Sequence, residues 1–222
     1  MLFKPIITTK LVINFINNLI KMTNNKELNL FIIGPSGCGK STQAAKIAKQ
    51  YDLSHFSMGE LFRDKIKKDE DFKKQVAKYV DNGTWVPNEI VFSVLKPVLE
   101  SINYSNFIID GFPREVGQIK YADEIFKQQD KKIDSVIHLD VTAQEISDRR
   151  HKVAESGGNF QENRNDETPE AIATRQKSYD ESINSIFDYL QTDSRLFRVD
   201  GNRPIDPIFQ DINNYINNLL NK

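Results

Sequence analysis

One stretch of the chain combines the residue types and the spacing that phosphate binding needs. Residues 34–42, which we call the phosphate loop, read GPSGCGKST and directly follow the apolar residues 28–33. Glycines allow successive backbone N–H groups to point toward an anion, and a following helix adds its positive dipole end. Lys40 can reach the outer phosphates of a nucleoside triphosphate, and the hydroxyl of Ser41 or Thr42 can contact Mg²⁺. The stretch predicts binding of ATP or GTP.

The elements that must position this loop follow from the hydrophobic pattern. Short apolar runs alternate with longer stretches of helical periodicity, which predicts a parallel sheet covered by helices on both faces. The predicted strands are residues 28–33, 55–57, 106–110, 135–139 and 196–199.

Ligands of parallel α/β sheets bind at the carboxyl ends of the strands. Four polar residues end or follow the predicted strands and are therefore site candidates: Ser57, Asp110, Asp140 and Asp200. Two stretches depart from the alternation. Residues 60–86 are helical and highly charged, and residues 154–167 are polar without periodicity, so we interpret both as mobile lobes.

Charge and cysteine content narrow the class of protein. A length of 222 residues suits one sizeable domain, and 30 Lys and Arg balance 31 Asp and Glu. This balance gives no overall basic field for nucleic acid or for an anionic membrane, and we expect neither partner. Cys38 is the one cysteine and lies in the phosphate loop, so neither a disulfide framework nor a zinc ligand set is expected. A reducing compartment is predicted.

The first 26 residues differ from the rest because they contain four lysines and no acidic residue before Glu27. Their apolar residues 11–16 are too few to span a bilayer, which needs about 20. Two interpretations remain. The segment is an organelle transit peptide, which would direct the protein to mitochondria, or translation starts at Met22 and the protein is cytoplasmic, which is the location we predict.

Two further motifs, together with the phosphate loop, resemble those of adenylate kinases and related nucleoside monophosphate kinases. They are HFSMGELFR at residues 55–63 and DGFPREVGQ at residues 110–118. GTWVP at residues 83–87 and VDGNRP at residues 199–204 also match the family, in the family's order. The resemblance extends from about residue 28 to the C-terminus.

The resemblance implies an α/β fold of the P-loop NTPase type with three layers, in which helices flank a central parallel five-stranded sheet. It also implies a single kinase domain at residues 27–222, after an N-terminal extension at residues 1–26. The expected core comprises residues 27–56, 87–150 and 168–222, with an inserted monophosphate-binding lobe at 57–86 and a short lid at 151–167. A monomer using Mg²⁺-ATP, without zinc and without stable membrane association, is expected.

The resemblance also assigns roles to residues at matching positions. The residues expected to bind ATP are Gly37, Cys38, Gly39, Lys40, Ser41, Thr42, Arg149, Gly201 and Arg203. Asp110 is expected to hold Mg²⁺ through water, together with Ser41. The residues expected around the monophosphate are Ser57, Met58, Gly59, Arg63, Thr84, Trp85, Val86, Gly111, Phe112, Pro113, Arg114, Gln118, Arg164 and Arg175. The residues expected to act in catalysis are Lys40, Arg114, Arg149, Arg164 and Arg175.

These cationic side chains fit the chemistry of phosphoryl transfer. The reaction brings several negative charges together, so the protein must supply cations and positioning. A monophosphate oxygen is already largely ionised at neutral pH, and no histidine or carboxylate base is required. Arginine suits the task because its planar fork binds two phosphate oxygens at once.

Two positions depart from the family pattern and keep alternatives open. Met58 stands where the family usually has a threonine that recognises adenine, which favours a UMP/CMP kinase, whereas Gln118 favours AMP. Val153 stands where a lid arginine is often found, and Arg150 or Lys152 is a weaker substitute. A nucleotide sensor that binds without transfer is the second alternative. We predict the reaction ATP + AMP = 2 ADP.

Overall fold

The computed structural model describes residues 26–80, 85–155, 169–192 and 194–221. Five parallel strands form one sheet in the order β2-β3-β1-β4-β5. They are β1 (Asn29–Ile33), β2 (Ser54–Ser57), β3 (Phe107–Asp110), β4 (Ser135–Asp140) and β5 (Leu196–Asp200). The predicted parallel five-stranded sheet is confirmed.

Helices connect the strands and lie on both sides of the sheet. In the described part of the chain they are α1 (Lys40–Tyr51), α2 (Met58–Lys68), α3 (Glu70–Val80), α4 (Asn88–Ser101), α5 (Val116–Gln128), α6 (Ala143–Glu155), α7 (Pro169–Gln191) and α8 (Ile205–Leu220). None of these helices is both long and apolar enough to cross a bilayer.

The two faces of the sheet bury two separate apolar clusters, as period-2 alternation along the strands requires. Phe31 and Ile33 of β1 point to the cluster that includes α4, α5 and α7. Leu30 and Ile32 point to the cluster that includes α1 and α8. Burying one such side chain contributes about 1.5–3 kcal/mol. Both clusters therefore hold the strand ends, and the loops that follow them, in fixed places.

A third, smaller cluster lies apart from the sheet. Phe72 and Val76 of α3 pack with Val94 of α4, and side chains of α2 cover them. The predicted monophosphate-binding lobe thus has its own apolar contacts on α4, while its boundaries at 57–86 stay a prediction. The helical stretch predicted to start at residue 60 starts at Met58 and is interrupted at Asp69, whose carboxylate accepts a hydrogen bond from the backbone of Phe72.

Strand boundaries differ from the predicted ones by a single residue. Asn106, predicted as the start of a strand, has a φ of 57° and lies before β3. Its side chain accepts a hydrogen bond from the backbone N–H of Leu28, and its own N–H donates to the side chain of Asn29. These side-chain bonds hold Asn106 in a left-handed conformation, which a strand residue does not adopt. Asp140 and Asp200, predicted to follow β4 and β5, are their last residues.

Candidate active site

The phosphate loop joins the carboxyl end of β1 to the first turn of α1. Two of its residues must be glycine. A Cβ atom on Gly34 would lie 2.8 Å from both the carbonyl oxygen of Leu139 and the sulfur of Cys38. Gly39 caps α1 with a φ of 101°, which L side chains rarely adopt. The loop therefore brings its backbone N–H groups to a helix N-terminus, the geometry that binds anions.

Lys40 lies across this loop. Its Nζ donates hydrogen bonds to the carbonyl oxygens of Gly34 at 2.9 Å and Pro35 at 2.8 Å. The ammonium group is thus held above the backbone of the predicted phosphate site. Ser41 and Thr42 follow on the first turn of α1, and both are exposed.

A hydrogen bond joins the phosphate loop to the end of β3. Ser41 Oγ donates to Asp110 Oδ2 at 2.6 Å, and the carboxylate is only 4% exposed. Burial by itself would raise the pKa of Asp110, but the bond from Ser41, the nearby imidazole of His55 and the charge of Lys40 outweigh it, so the pKa lies below its usual range. His55 Nε2 lies 3.8 Å from Asp110 Oδ2.

This pair of oxygen groups fits a magnesium ion. A hydroxyl and an ionised carboxylate lie side by side at the phosphate loop, and Mg²⁺ prefers such ligands while keeping several waters. Within the described ranges, no group of three or more His, Cys, Asp or Glu side chains could hold a metal on its own. A bound Mg²⁺ would therefore rely on the nucleotide phosphates for its other ligands.

Arg149 of α6 connects the phosphate loop to the turn after β5. Its guanidinium donates to the carbonyl oxygen of Cys38 at 2.8 Å and to those of Gly201 and Arg203. Glu145, one turn earlier, accepts from its Nε at 2.8 Å. The structure thus brings together Arg149, Gly201 and Arg203, three of the residues expected to bind ATP.

Arg150 also reaches the phosphate loop. Its Nη2 donates to the carbonyl oxygen of Ser36 at 3.2 Å, and a Cβ on Gly37 would lie 3.3 Å from its Nε. Sequence reasoning considered Arg150 only as a substitute for the absent lid arginine at Val153. Arg150 is thus a cation beside the loop glycines, and its role as a substitute stays a prediction.

Arg114 occupies the turn after β3, on the other side of Asp110. Its Nε donates to the carbonyl oxygen of Gly111 at 3.1 Å, and its guanidinium lies 5.8 Å from the ring centre of Trp85. The side-chain oxygen of the buried Gln118 accepts from the backbone N–H of Arg114 at 2.8 Å. The predicted base contact of Gln118 would therefore come from its amide nitrogen.

Other residues predicted around the monophosphate differ in exposure. Arg63 lies over Gly59, because a Cβ there would be 3.1 Å from Arg63 Nη1. Met58 is 3% exposed and belongs to the apolar cluster of α4 and α5, as does Phe112. Pro113 is buried, whereas Ser57, Val86 and Gly111 are partly exposed. Phe112 and Met58 thus belong to the apolar core.

A cavity of about 410 Å³ opens beside these residues. Trp85, Glu115 and Val116 line it on one side, and Ser178, Glu181, Ser182 and Ser185 of α7 line the other. Burial raises the pKa of Glu115. The cavity places α7 next to the predicted monophosphate pocket.

Several predicted site residues lie elsewhere. Asp140 is exposed and bonded to Arg198, and Asp200 is bonded to Asn202, so these two strand-end carboxylates belong to surface contacts. Thr84, Arg164 and most of the predicted lid lie outside the described residues. Arg175 lies partly buried on α7.

Comparison with known proteins finds similarity to adenylate kinases. A protein-family model described as "Adenylate kinase" matches residues 32–195. An adenylate kinase of Archaeoglobus fulgidus is 29% identical over 209 residues, which covers 83% of this chain and 96% of the relative. An adenylate kinase of Oceanobacillus iheyensis is 30% identical over 208 residues, covering 83% of this chain and 97% of the relative. One from Staphylococcus epidermidis is 28% identical over 216 residues, covering 86% of this chain and all of the relative.

Proposed function

The chain belongs to the adenylate kinase family, and from this premise we propose that it transfers the terminal phosphoryl group of Mg²⁺-ATP reversibly to AMP, forming two ADP. Membership makes the protein a phosphotransferase that acts on nucleoside monophosphates. The identity of the preferred monophosphate, the metal and the role of each residue are the parts that we add.

One observation carries the proposal: the hydrogen bond of 2.6 Å between Ser41 and Asp110. Ser41 belongs to the loop predicted to hold ATP, and Asp110 directly precedes the turn that contains Arg114. A triphosphate at the first loop and a monophosphate at the second would lie side by side. Direct transfer between two nucleotides needs this arrangement, because the attacking and leaving oxygens must be in line with the phosphorus atom.

In this mechanism the chain supplies cations and exclusion of water. Lys40 would contact the outer phosphates of ATP, and Arg114 and Arg63 would hold the acceptor phosphate, whose oxygen is already ionised and needs no base. Asp110 and Ser41 would hold Mg²⁺ in part through water, and the bound ion would neutralise charge on the transferred group. Closure of the two lobes would limit hydrolysis.

The base preference depends on Gln118 and Met58. The oxygen of Gln118 accepts from the backbone of Arg114, so its amide nitrogen would donate to a ring nitrogen of adenine. Met58 is buried and offers no hydrogen bond to a base. This burial favours the second candidate function, a UMP/CMP kinase, because the contact that selects adenine through a hydroxyl is missing.

The deciding experiment is ADP formation from Mg²⁺-ATP with AMP, CMP, UMP and GMP in parallel. We expect the highest kcat/KM with AMP. Faster reaction with CMP or UMP would show that a pyrimidine nucleotide is the preferred acceptor. Tight ATP binding without ADP formation would indicate a nucleotide sensor.

Replacement of Lys40 tests the phosphate loop, and replacement of Lys96 is the matched control. Lys40→Ala should lower kcat by about two orders of magnitude or more, because a cation beside the transferred phosphoryl group is lost. Lys96→Ala removes an exposed lysine that faces Glu100 on α4 and should leave kcat within about twofold. Equal activities of the two variants would contradict the role of Lys40.

We further infer a monomer in the cytoplasm, or in mitochondria if residues 1–26 act as a transit peptide. Light scattering of the purified protein would give the oligomeric state. Imaging of fluorescent fusions with and without residues 1–26 would decide the location.

A further inference from the structure

A hydrogen-bonded pair, formed by the buried His138 of β4 and the half-buried Tyr179 of α7, lies outside the residues discussed so far. His138 of β4 is 3% exposed, and its Nε2 lies 2.6 Å from the hydroxyl oxygen of Tyr179 on α7. The ring of Phe187, eight residues further along α7, meets His138 edge-on at 4.8 Å between ring centres. Residues at this spacing share one face of a helix, so α7 touches His138 at two points along the same face.

Both groups are neutral at physiological pH. Burial lowers the pKa of His138 to about 4. The charge of Asp140 raises this pKa, whereas the charges of Arg198 and Lys40 lower it. Burial also raises the pKa of Tyr179 well above its usual value. The hydrogen bond therefore joins two uncharged groups and persists across the range in which the enzyme would work.

Stability of the fold alone does not explain the pair of His138 and Tyr179. Val136, which shares the face of His138 on β4, is buried and apolar, and the Nδ1 of His138 is buried without a hydrogen-bond partner among the residues that the structure describes. An apolar residue would avoid that unsatisfied atom. Buried hydrogen bonds of this kind fix relative positions, because they form at only one distance and direction.

The pair connects two parts of the predicted active site. His138 lies opposite Ile33, the last residue before the phosphate loop. The carbonyl oxygen of the next residue, Leu139, would lie 2.8 Å from a Cβ on Gly34. Tyr179 lies one turn after Arg175, so the two side chains leave α7 on the same face. A shift of α7 relative to β4 would move Arg175 relative to the phosphate loop.

We propose that His138 and Tyr179 are positioning residues for phosphoryl transfer, whose hydrogen bond sets the place of Arg175 relative to the phosphate loop. The inference rests on the proposed function and on the role that the family resemblance gives to Arg175. It adds two residues that have no predicted contact with either nucleotide.

Tyr179→Phe tests the proposal because it removes only the hydroxyl. The matched control is Tyr189→Phe on the same helix, which removes a hydroxyl bonded to Asp123 at 2.9 Å. Ten residues separate the two tyrosines, or about 15 Å along the helix. We expect Tyr179→Phe to lower kcat about tenfold with KM for both nucleotides within about twofold, and Tyr189→Phe to leave kcat within about twofold.

A double variant separates positioning from a general structural effect. If Tyr179 acts through Arg175, adding Tyr179→Phe to Arg175→Ala should lower kcat no further. Multiplying effects in the double variant would overturn the proposal, and so would a kcat of Tyr179→Phe equal to that of Tyr189→Phe. Thermal unfolding of each variant shows whether it is folded at the assay temperature. Failure of the unchanged protein to convert any monophosphate would instead overturn the proposed function, and this role with it.

Discussion

Replacing Arg149 by lysine keeps the charge and removes the planar fork that connects the phosphate loop to the turn after β5. The arginine donates to three backbone carbonyl oxygens, those of Cys38, Gly201 and Arg203, and its side chain is 23% exposed. A lysine has a single nitrogen at the end of its stem and can reach only one of these places at a time.

The expected magnitude follows from the bonds that are lost. A hydrogen bond from a charged donor contributes about 1.5–3 kcal/mol, and a neutral one about 1 kcal/mol. Two of the three bonds to carbonyl oxygens and the bond from Nε to Glu145 are lost. Water at the partly exposed site replaces much of this loss, so Arg149→Lys should lower the free energy of unfolding by about 2 kcal/mol. For a domain of this size the midpoint of thermal unfolding should fall by about 4–8 °C.

Circular dichroism during heating measures the loss of stability, and calorimetric titration with ATP measures the weakening of ATP binding. If the same bonds hold the ATP-bound loop, 2 kcal/mol corresponds to a dissociation constant about 30-fold higher. Arg198→Lys is the matched control, because Arg198 is 50% exposed and bonds one carboxylate, that of Asp140. It should change stability by less than about 1 kcal/mol. Equal midpoints for both variants would refute the reasoning.

Two more predictions concern the turn after β5 and the end of β3. A Cβ on Gly201 would lie 2.4 Å from Cγ2 of the buried Val141, so Gly201→Ala should lower the free energy of unfolding in urea by about 1–3 kcal/mol. Adding Val141→Ala should recover part of that loss, and no recovery would contradict the clash. Because the pKa of Asp110 is lowered on folding, its ionised form stabilises the fold above the unfolded value near 4, and this contribution is lost as pH falls through the folded value. Stability should therefore fall more steeply below about pH 4 in the unchanged protein than in Asp110→Asn, and parallel pH curves would contradict this.

The fold could be predicted from the sequence because its signals are local. Apolar runs of strand length recur between helical stretches, and the glycines of the phosphate loop stand where the chain must turn between β1 and α1. Strand ends were less predictable. The left-handed conformation of Asn106 depends on bonds to Leu28 and Asn29, which are more than 70 residues away in the sequence.

Candidate site residues could be named from the sequence where a residue stands in a motif, and not where its position depends on a distant partner. Lys40, Asp110 and Arg114 belong to motifs, but their roles stay predictions. His138 gave no signal, since a histidine in an apolar strand is compatible with simple packing, and Tyr179 is 41 residues away. Arg150 directly follows Arg149, yet only the fold shows that its side chain reaches the carbonyl oxygen of Ser36.

Arg149 and Lys40 both contact the phosphate loop, and their geometry explains why one is an arginine and the other a lysine. Arg149 contacts three carbonyl oxygens from two separate segments, which requires several donors in a fixed plane. Lys40 contacts two adjacent carbonyl oxygens of its own loop, which a single ammonium can do. Under the proposed function its flexible stem would let it follow a phosphate that moves during transfer. Exchanging the two residue types would therefore impair both tasks. The arginine joins the loop to the turn after β5, and under the proposed function the lysine would be the cation that stays with the transferred group.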